Sequence, residues 1–237
     1  MSGSGVALQL LNTFAVTHDG VRCSLPFSSQ RLFAYLALHD HHVQRAGAAE
    51  QLWPDCQPQR ASGNLRSALC HARHVGHGMT IDSTDQTLAL SPTVEVDLHQ
   101  VSHTARGVAA GARIAPEAAP GLVTDLRGEL LPTWTEDWLL LERERWDQLR
   151  LHALEKLAQQ LTGEQRYVAA LHAAFAAVAI DPLRETAHRL IMEVHIAEGN
   201  VASALKCYQE YRKLLAAELH IHPSPRMRRL VQDLIPR

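Results

Sequence analysis

The stretch from Ala48 to Leu90 constrains the fold of this chain more than any other segment. A short apolar helix is predicted from Ala48 to the Trp-Pro-Asp turn that starts at Trp53, and a second helix is predicted over residues 60–75. Two strands of alternating polarity then flank a polar tip in TIDSTDQTLAL. Two helices followed by a β-hairpin are the order of a winged helix-turn-helix, whose second helix enters a DNA groove. The segment therefore predicts a DNA-binding regulator and not an enzyme.

The second helix separates into an apolar side and a polar side on a helical wheel. Its apolar side, Leu65, Ala68, Leu69 and Ala72, is predicted to face the core. The opposite side carries small and polar side chains that can approach base edges and phosphates closely. The predicted DNA contacts of this helix are Arg60, Asn64, Arg66, Ser67, Cys70, His71, Arg73 and His74. A solvated surface helix is the alternative that this segment alone leaves open.

Further DNA contacts are predicted from the hairpin and from residues that flank the helices. Thr84 and Gln86 lie at the polar tip and can contact phosphate or a groove edge, whereas Asp85 would repel phosphate and is assigned no contact. The remaining predicted contacts of the wing and of the DNA backbone are Gln30, Arg31 and Arg45.

A small β-sheet and a helix are predicted before this segment. One strand is expected over residues 6–16, followed by a turn at His18-Asp19-Gly20 and a return strand over residues 21–25. Ser28 or Ser29 is expected to cap the helix QRLFAYLALH. Gly76-His77-Gly78 is expected to end the helix at residues 60–75.

Only helices are predicted beyond residue 95. Asp97 is expected to cap the first, residues 111–121 to form a loop, and residues 136–161 to form a long amphipathic helix ended by Gly163. Two Ala-Leu pairs, at Ala170 and Ala204, recur at the tetratricopeptide period of about 34 residues, and Asp181-Pro182 separates two helices. The predicted domains are a DNA-binding domain of residues 1–95 and a tetratricopeptide-like domain of residues 96–237. The fold class is thus mainly α with small β-sheets.

The composition is that of a soluble globular protein, with 46% hydrophobic and 20% charged residues. The net charge of −2 gives no strong overall attraction to nucleic acid, so DNA binding must depend on local charge. No signal peptide and no run of about 20 apolar residues is present, so a cytoplasmic protein without a membrane partner is expected.

Metal binding and catalysis are not expected. Two histidine- and cysteine-rich groups lack a completing ligand at a recognisable spacing and are interpreted as polar loop and helix residues: His39, His41 and His42, and Cys70, His71, His74 and His77. Phosphate-binding, zinc-protease and hydrolase motifs are absent, and no cofactor is expected.

Several charged and aromatic residues of the helical half are given structural roles. The four acids Glu142, Glu144, Asp147 and Glu155 alternate with arginines and are expected to form local ion pairs. Trp134, Trp138 and Trp146 are expected to be packing anchors. The terminal helix, with Arg226, Arg228 and Arg229, can dock on an acidic partner or DNA, or it is simply solvated.

Several segments in both halves of the chain match a known family pattern. In the first half they are SSQRLFAYLAL, AAEQLWPD, ASGNLRSAL and VEVDL. In the second half they are GELLPTWTEDWLLLERERWDQLRLHALEKLA, the long stretch that begins AIDPLRETAHRL, and the terminal helix. In these segments the chain resembles the SARP family, the Streptomyces antibiotic regulatory proteins. The resemblance implies a response-regulator-type winged helix followed by a tetratricopeptide-like activation domain. It places the recognition helix at Asn64–Arg73 and the wing at Thr80–Leu90.

The resemblance also implies a function and its partners. These are double-stranded promoter DNA with direct repeats near the −35 element, RNA polymerase holoenzyme including its sigma factor, and a second copy of the chain on the DNA. Activation of a secondary-metabolite gene cluster is expected. Many members carry an aromatic residue or arginine where Cys70 and His71 stand, which affects the operator sequence and the strength of binding. Larger members add an ATPase module, and no ATP dependence is expected here. The alternative is a tetratricopeptide-type adaptor or ligand-sensing regulator whose helical domain is the working part.

Overall fold

The computed structural model describes residues 5–39, 41–75, 80–232 and 234. In chain order, the elements are β1 (Val6–Gln9), β2 (Ala15–His18), β3 (Val21–Arg22), α1 (Phe27–Ala37), β4 (Val43–Gln44), α2 (Arg45–Leu52), α3 (Pro58–Ala72), β5 (Ile81–Ser83), β6 (Thr87–Leu90), β7 (Glu95–Val96), α4 (Asp97–Ala109), α5 (Ala119–Leu126), α6 (Trp138–Gly163), α7 (Tyr167–Ile180), α8 (Glu185–Ala197), α9 (Val201–Glu218) and α10 (Pro225–Gln232).

Contacts divide the chain into two compact units. Unit 1 comprises Met1–Gln100 with Glu129–Glu144, and unit 2 comprises Val101–Gly128 with Arg145–Arg237. The segment Glu129–Glu144 thus packs with the N-terminal part of the chain although it lies far beyond residue 95. The domain boundary predicted near residue 95 stays a prediction.

The first sheet of unit 1 has the strand order β3-β2-β1-β7, with β7 parallel to β1 and the other pairs antiparallel. The single strand predicted over residues 6–16 is wrong, because the chain reverses between β1 and β2 with Asn12 in the left-handed region (φ 68°). The Asp97 carboxylate accepts hydrogen bonds from the backbone N–H groups of Leu10 (2.8 Å) and Leu11 (3.0 Å). The turn predicted at residues 18–20 is confirmed, with positive φ at Asp19 and Gly20.

Helix α1 begins at Phe27 without a side-chain cap, so the predicted capping role of Ser28 or Ser29 is wrong. Ser29 is instead fully buried, and its hydroxyl donates to the carbonyl oxygen of Ala68 in α3 at 2.9 Å. Helix α2 starts at Arg45, three residues before the predicted start at Ala48. Helix α3 runs from Pro58 to Ala72, with Arg73 as its C-cap, so the helix predicted over residues 60–75 starts and ends earlier than expected, and the end predicted at Gly76-His77-Gly78 is wrong. Those three residues themselves lie outside the described part of the chain.

Helices α1, α2 and α3 enclose the core of unit 1 together with a three-stranded antiparallel sheet in the order β4-β6-β5. The hairpin β5-β6 is the predicted wing, and Leu88 of β6 is fully buried against the helices. The buried core residues are Leu32, Tyr35, Leu36, Val43, Ala48, Ala49, Leu52, Ala61, Leu65, Ala68, Leu69 and Leu88. Helices α2 and α3 and the β5-β6 wing share this core and form the predicted winged helix-turn-helix.

The three tryptophans of the helical half, Trp134, Trp138 and Trp146, are packing anchors, as predicted. Trp134 stacks on Phe14 with ring centroids 5.5 Å apart, and Trp138 meets Tyr35 edge to face, also at 5.5 Å. In unit 2, Trp146 is buried and its indole N–H donates to the carbonyl oxygen of Gly128 at 2.8 Å.

Unit 2 is helical, and α8 packs against both α7 and α9. The predicted break at Asp181-Pro182 separates α7 from α8, which confirms this part of the helix-pair pattern. The loop predicted over residues 111–121 is wrong at its end, because α5 begins at Ala119. Among the described residues, no helix is both long enough and apolar enough to span a membrane.

The predicted local ion pairs of α6 are confirmed only in part. Arg150 pairs with Asp147 at 2.8 Å, one helical turn away. Glu155 pairs instead with Arg184, at 2.6 Å, in the connection between α7 and α8, so its predicted local pair is wrong. Arg143 donates to the backbone carbonyl oxygens of Leu130 and Trp134 at 2.9 and 2.7 Å.

Candidate nucleic-acid interface

Helix α3 presents one face to the core of unit 1 and the opposite face to solvent. Its predicted apolar side is confirmed, since Leu65, Ala68, Leu69 and Ala72 are at most 6% exposed. Pro58 at the first helical position suits the helix start because it has no N–H to leave unpaired. Of the predicted contact residues on this helix and its C-terminal end, those exposed to solvent are Arg60, Arg66, Ser67, Cys70, His71, Arg73 and His74.

The exposed face of α3 is locally basic although the whole chain is not. Helix α3 contains no acidic residue, while Arg60 and Arg66 lie on it and Arg73 follows as its C-cap. None of these three guanidinium groups pairs with a carboxylate in the described part of the chain. Unpaired arginines on a face without acids provide favourable positions for phosphate or for guanine edges.

A cleft of about 390 Å³ lies between α3, the start of α2 and the wing. It brings together three of the predicted contacts, Arg45, Arg66 and Gln86. Sequence reasoning missed two further polar residues that line it, Gln44 and Ser62. Ser62 lies one turn before Arg66 on the same helix, and this spacing is the signal that could have found it.

Arg45 attaches the wing to the start of α2. Its guanidinium donates to the Ser83 hydroxyl at 2.9 Å and to the Thr84 carbonyl oxygen at 3.1 Å, and its backbone N–H donates to the Gln86 carbonyl oxygen at 2.8 Å. Thr84 shapes the tip, because its hydroxyl oxygen accepts a hydrogen bond from the Thr87 N–H at 2.9 Å. The Gln86 side chain is exposed beside this turn.

Two predicted contacts on α3 already have partners within the protein. Asn64 is half-buried, and its amide nitrogen lies 3.8 Å from the Cys56 sulfur in the turn between α2 and α3. The His71 Nδ1 lies 2.8 Å from the Ser67 carbonyl oxygen, which can only accept, so Nδ1 carries the proton of the neutral ring. His71 therefore has Nε2 left as a hydrogen-bond acceptor for a partner.

Gln30 and Arg31 are also engaged within unit 1. Gln30 donates to the Leu25 carbonyl oxygen at 2.8 Å. Arg31 pairs with Glu136 at 2.6 Å, both side chains being about 15% exposed, and its guanidinium lies 5.8 Å from the centre of the Trp53 ring. A phosphate contact by Arg31 would require this ion pair to open, so its predicted role competes with a structural one.

In the described part of the chain, no three His, Cys, Asp or Glu side chains converge on one point. The rings of His39 and His41 lie 5.8 Å apart, and His39 bonds to the Tyr35 carbonyl oxygen. Cys70 and His74 lie exposed at the end of α3, and His77 falls outside the described residues.

Comparisons with known proteins agree with this architecture. Over 86% and 92% of its length, the chain is 27% identical to the regulatory protein AfsR of Streptomyces griseus and of Streptomyces coelicolor. It spans 22% and 23% of those relatives, about a fifth of their length. The fold matches a structure of Mycobacterium tuberculosis EmbR in complex with a low-affinity phosphopeptide, with a TM-score of 0.76 and 18% identity, over 97% of this chain and 64% of that one.

The profile of the family described as bacterial transcriptional activator domain matches residues 96–235, more than half of the chain. This match and the AfsR relatives confirm the resemblance found in the sequence. The chain belongs to the bacterial transcriptional activator domain family.

Proposed function

We propose that this chain is a sequence-specific DNA-binding activator of transcription. The observation that carries the proposal is the exposed face of α3, which has no acidic residue and carries arginines without carboxylate partners in the described residues. Membership of an activator-domain family supports the link from DNA binding to transcription. No enzymatic step is part of the proposal.

In the proposed complex, α3 lies in the major groove and the wing contacts the adjacent backbone. A helix of 15 residues is about 22 Å long, which is enough to cross a groove about 12 Å wide. Arg66 is the proposed base contact, since arginine can donate two hydrogen bonds to guanine. Arg45 and Gln86 line the same cleft as Arg66 and are proposed phosphate contacts.

Family membership also supports the partners that we propose. Two copies bind direct repeats near a promoter −35 element, side by side and head to tail, an arrangement that needs no two-fold axis. The bound pair recruits RNA polymerase holoenzyme, including its sigma factor, to a secondary-metabolite gene cluster. Repeats spaced by one helical turn, about 10–11 base pairs, would place both copies on one face of the DNA.

Footprinting with purified RNA polymerase on promoters near the gene tests the whole proposal. The expected result is protection of two directly repeated segments beside the −35 element, together with increased polymerase occupancy when the protein is present. Protection of a single palindrome, or polymerase occupancy that does not change on adding the protein, would contradict it.

A salt titration tests the electrostatic part of the proposal. If Arg45, Arg60 and Arg73 contact phosphates while Arg66 contacts a base, log K falls with log salt concentration with a slope of roughly −3 per bound copy. Replacing Arg60 and Arg73 by glutamine should reduce the slope by about 2. The control is Arg212→Gln, an exposed arginine on α9, which should leave the slope unchanged. A wild-type slope near zero would rule out phosphate contacts.

One observation favours the alternative of a ligand-sensing regulator. Helices α5 and α7 of unit 2 enclose a cavity that takes no part in the DNA interface. If this alternative were the whole function, Arg60→Gln with Arg66→Gln would leave promoter activation in cells unchanged. Loss of activation in that double variant would favour the DNA-binding proposal.

A further inference from the structure

Helix α7 carries apolar side chains on its exposed side as well as on its buried side. Its 14 residues, from Tyr167 to Ile180, include no Asp, Glu, Lys or Arg. The side formed by its buried alanines packs inside unit 2. The opposite side leaves Val168 67% and Phe175 50% exposed, with His172 exposed between them. Exposed apolar side chains that lie together often mark a binding surface, so this side of α7 is suited to an apolar ligand group that the described residues do not supply.

A cavity of about 330 Å³ lies beside this exposed side, between α5 and α7. Ala119 and Val123 of α5 line one wall, and Ala169, Phe175 and Ala176 of α7 line the other. The space exists because three of these five wall residues are alanines, whose single methyl groups do not fill the gap between the two helices. Small-molecule sites have volumes of roughly 300–1,000 Å³ and mostly apolar walls. The volume of this cavity lies at the lower end of that range, and its walls have the expected character.

The polar groups of the cavity are suited to an anion. Arg127, at the C-terminal end of α5, lines it, is exposed, and pairs with no carboxylate in the described residues. His172 and Thr124 are the other polar side chains of the lining, and no acidic residue is among them. The Thr124 hydroxyl donates to the Pro120 carbonyl oxygen at 3.0 Å, so it offers no proton to a ligand. Arg127 is therefore the group that would hold a negative charge, and its fork of N–H donors matches a carboxylate or sulfonate.

We propose that the α5–α7 cavity is a binding site for a small amphiphilic anion, whose apolar body packs on Phe175 and the alanines and whose carboxylate or sulfonate pairs with Arg127. The volume of about 330 Å³ limits the ligand to a small molecule. The inference concerns unit 2 alone and does not depend on the proposed DNA binding.

The probe for this site is 1-anilinonaphthalene-8-sulfonate, an aromatic anion that fluoresces in apolar surroundings. The folded full-length chain should bind it saturably, and sodium octanoate should displace it. Neutral 1-octanol should displace it about tenfold less effectively, because it lacks the charge-assisted hydrogen bonds to Arg127. Equal displacement by octanoate and octanol would contradict the role of Arg127.

Two variants test the site from its two walls. Arg127→Gln should weaken binding of the probe and of octanoate by about tenfold and leave the Kd of octanol, derived from its competition with the probe, unchanged. Ala169→Leu should fill part of the cavity and weaken the binding of both the probe and octanoate. The controls lie on α9, where Arg212→Gln and Ala202→Leu make the same exchanges at exposed positions outside the cavity.

Melting curves of each variant establish that it is folded before its affinity is compared. If Arg127→Gln and Ala169→Leu both bind probe and octanoate as the wild type does, the probe binds elsewhere and the proposal is overturned. If the control variants lose affinity as strongly as the cavity variants, the proposal is overturned as well.

Discussion

At the residue scale, Glu155 and Arg184 form an ion pair that stabilises unit 2. The Glu155 Oε1 lies 2.6 Å from the Arg184 Nε, and the two side chains are 8% and 19% exposed. The hydrogen bond that the Arg184 guanidinium donates to the Glu155 carboxylate raises the pKa of Arg184, so Arg184 keeps its charge. Charges this deeply buried are costly when one of them is left alone.

Replacing Glu155 by glutamine should therefore lower the free energy of unfolding by about 2–3 kcal/mol, measured by urea denaturation at pH 7. The matched control is Glu210→Gln, which breaks the ion pair between Glu210 and Lys206. This pair lies at the surface, with the Lys206 side chain 78% and the Glu210 side chain 64% exposed. It should cost no more than about 0.5 kcal/mol. Equal losses in the two variants would contradict the argument from burial.

His188 makes the stability of unit 2 dependent on pH. It stacks on Tyr211 with ring centroids 4.2 Å apart, and Nε2 bonds to the Pro182 carbonyl oxygen at 2.8 Å. Burial lowers the pKa of His188, although the Pro182 carbonyl and Asp181 oppose that shift. The folded state therefore holds the proton less strongly than the unfolded state, whose pKa is about 6.5.

The stability that neutral His188 contributes is present above the unfolded pKa and is lost as pH falls through the folded value. Between pH 7 and pH 5, the melting temperature of the wild type should fall further than that of His188→Phe. This variant keeps an aromatic ring at the position but has no group that titrates there. The comparison is made by thermal unfolding at several pH values. Parallel losses in the two proteins would exclude His188 as the source.

Side chains whose partners are local were predictable from the sequence, and those with distant partners were not. The inward and outward faces of α3 follow from helical periodicity, so Leu65 and Arg66 were assigned to the correct sides. No local signal connects Arg31 with Glu136, because only the tertiary fold brings them together. For the same reason, the sequence predicts a local partner for Glu155, whereas its partner in the fold is Arg184.

At the element scale, the position of α3 depends on its packing against α1. Ser29 is fully buried in α1, and its hydroxyl bonds to the Ala68 carbonyl oxygen of α3 at 2.9 Å. Ser29→Ala should lower the free energy of unfolding of unit 1 by about 1 kcal/mol, measured by chemical denaturation. The control is Ser28→Ala at the neighbouring half-buried position, where a smaller effect is expected. An equally large loss of unfolding free energy in Ser28→Ala would contradict the stabilising role assigned to the Ser29 hydrogen bond.

Element type was predictable where the pattern was long, and the misses have physical causes. The helices around α3 and the wing follow from periodicity and from alternating polarity. The reversal between β1 and β2 was missed because Asn12 lies inside an apolar run and gives no Gly or Pro signal. Helix α5 was missed at its start because Pro120 suggested a loop, whereas proline is well tolerated in a first helical turn.

At the scale of the whole molecule, local charge matters more than net charge. The chain carries a formal net charge of −2, yet α3 has only basic and neutral residues. Salt screens the interaction between surface charges beyond a distance of about 10 Å. Acidic residues far from α3 therefore weaken its phosphate contacts only slightly. In the proposed complex, a favourable contact between two copies on neighbouring repeats would make their binding cooperative, so moderate affinity at one site is compatible with high occupancy of both.

The central claim, that α3 determines DNA sequence specificity, is tested most directly by Arg66→Ala. Binding to a footprinted operator and to a scrambled duplex is measured by fluorescence anisotropy at one salt concentration, with Arg212→Ala as the control. Arg66→Ala should weaken operator binding by about 1–3 kcal/mol and bring it closer to binding of the scrambled duplex, while the control changes neither. An unchanged ratio of operator to scrambled affinity in Arg66→Ala would contradict the account.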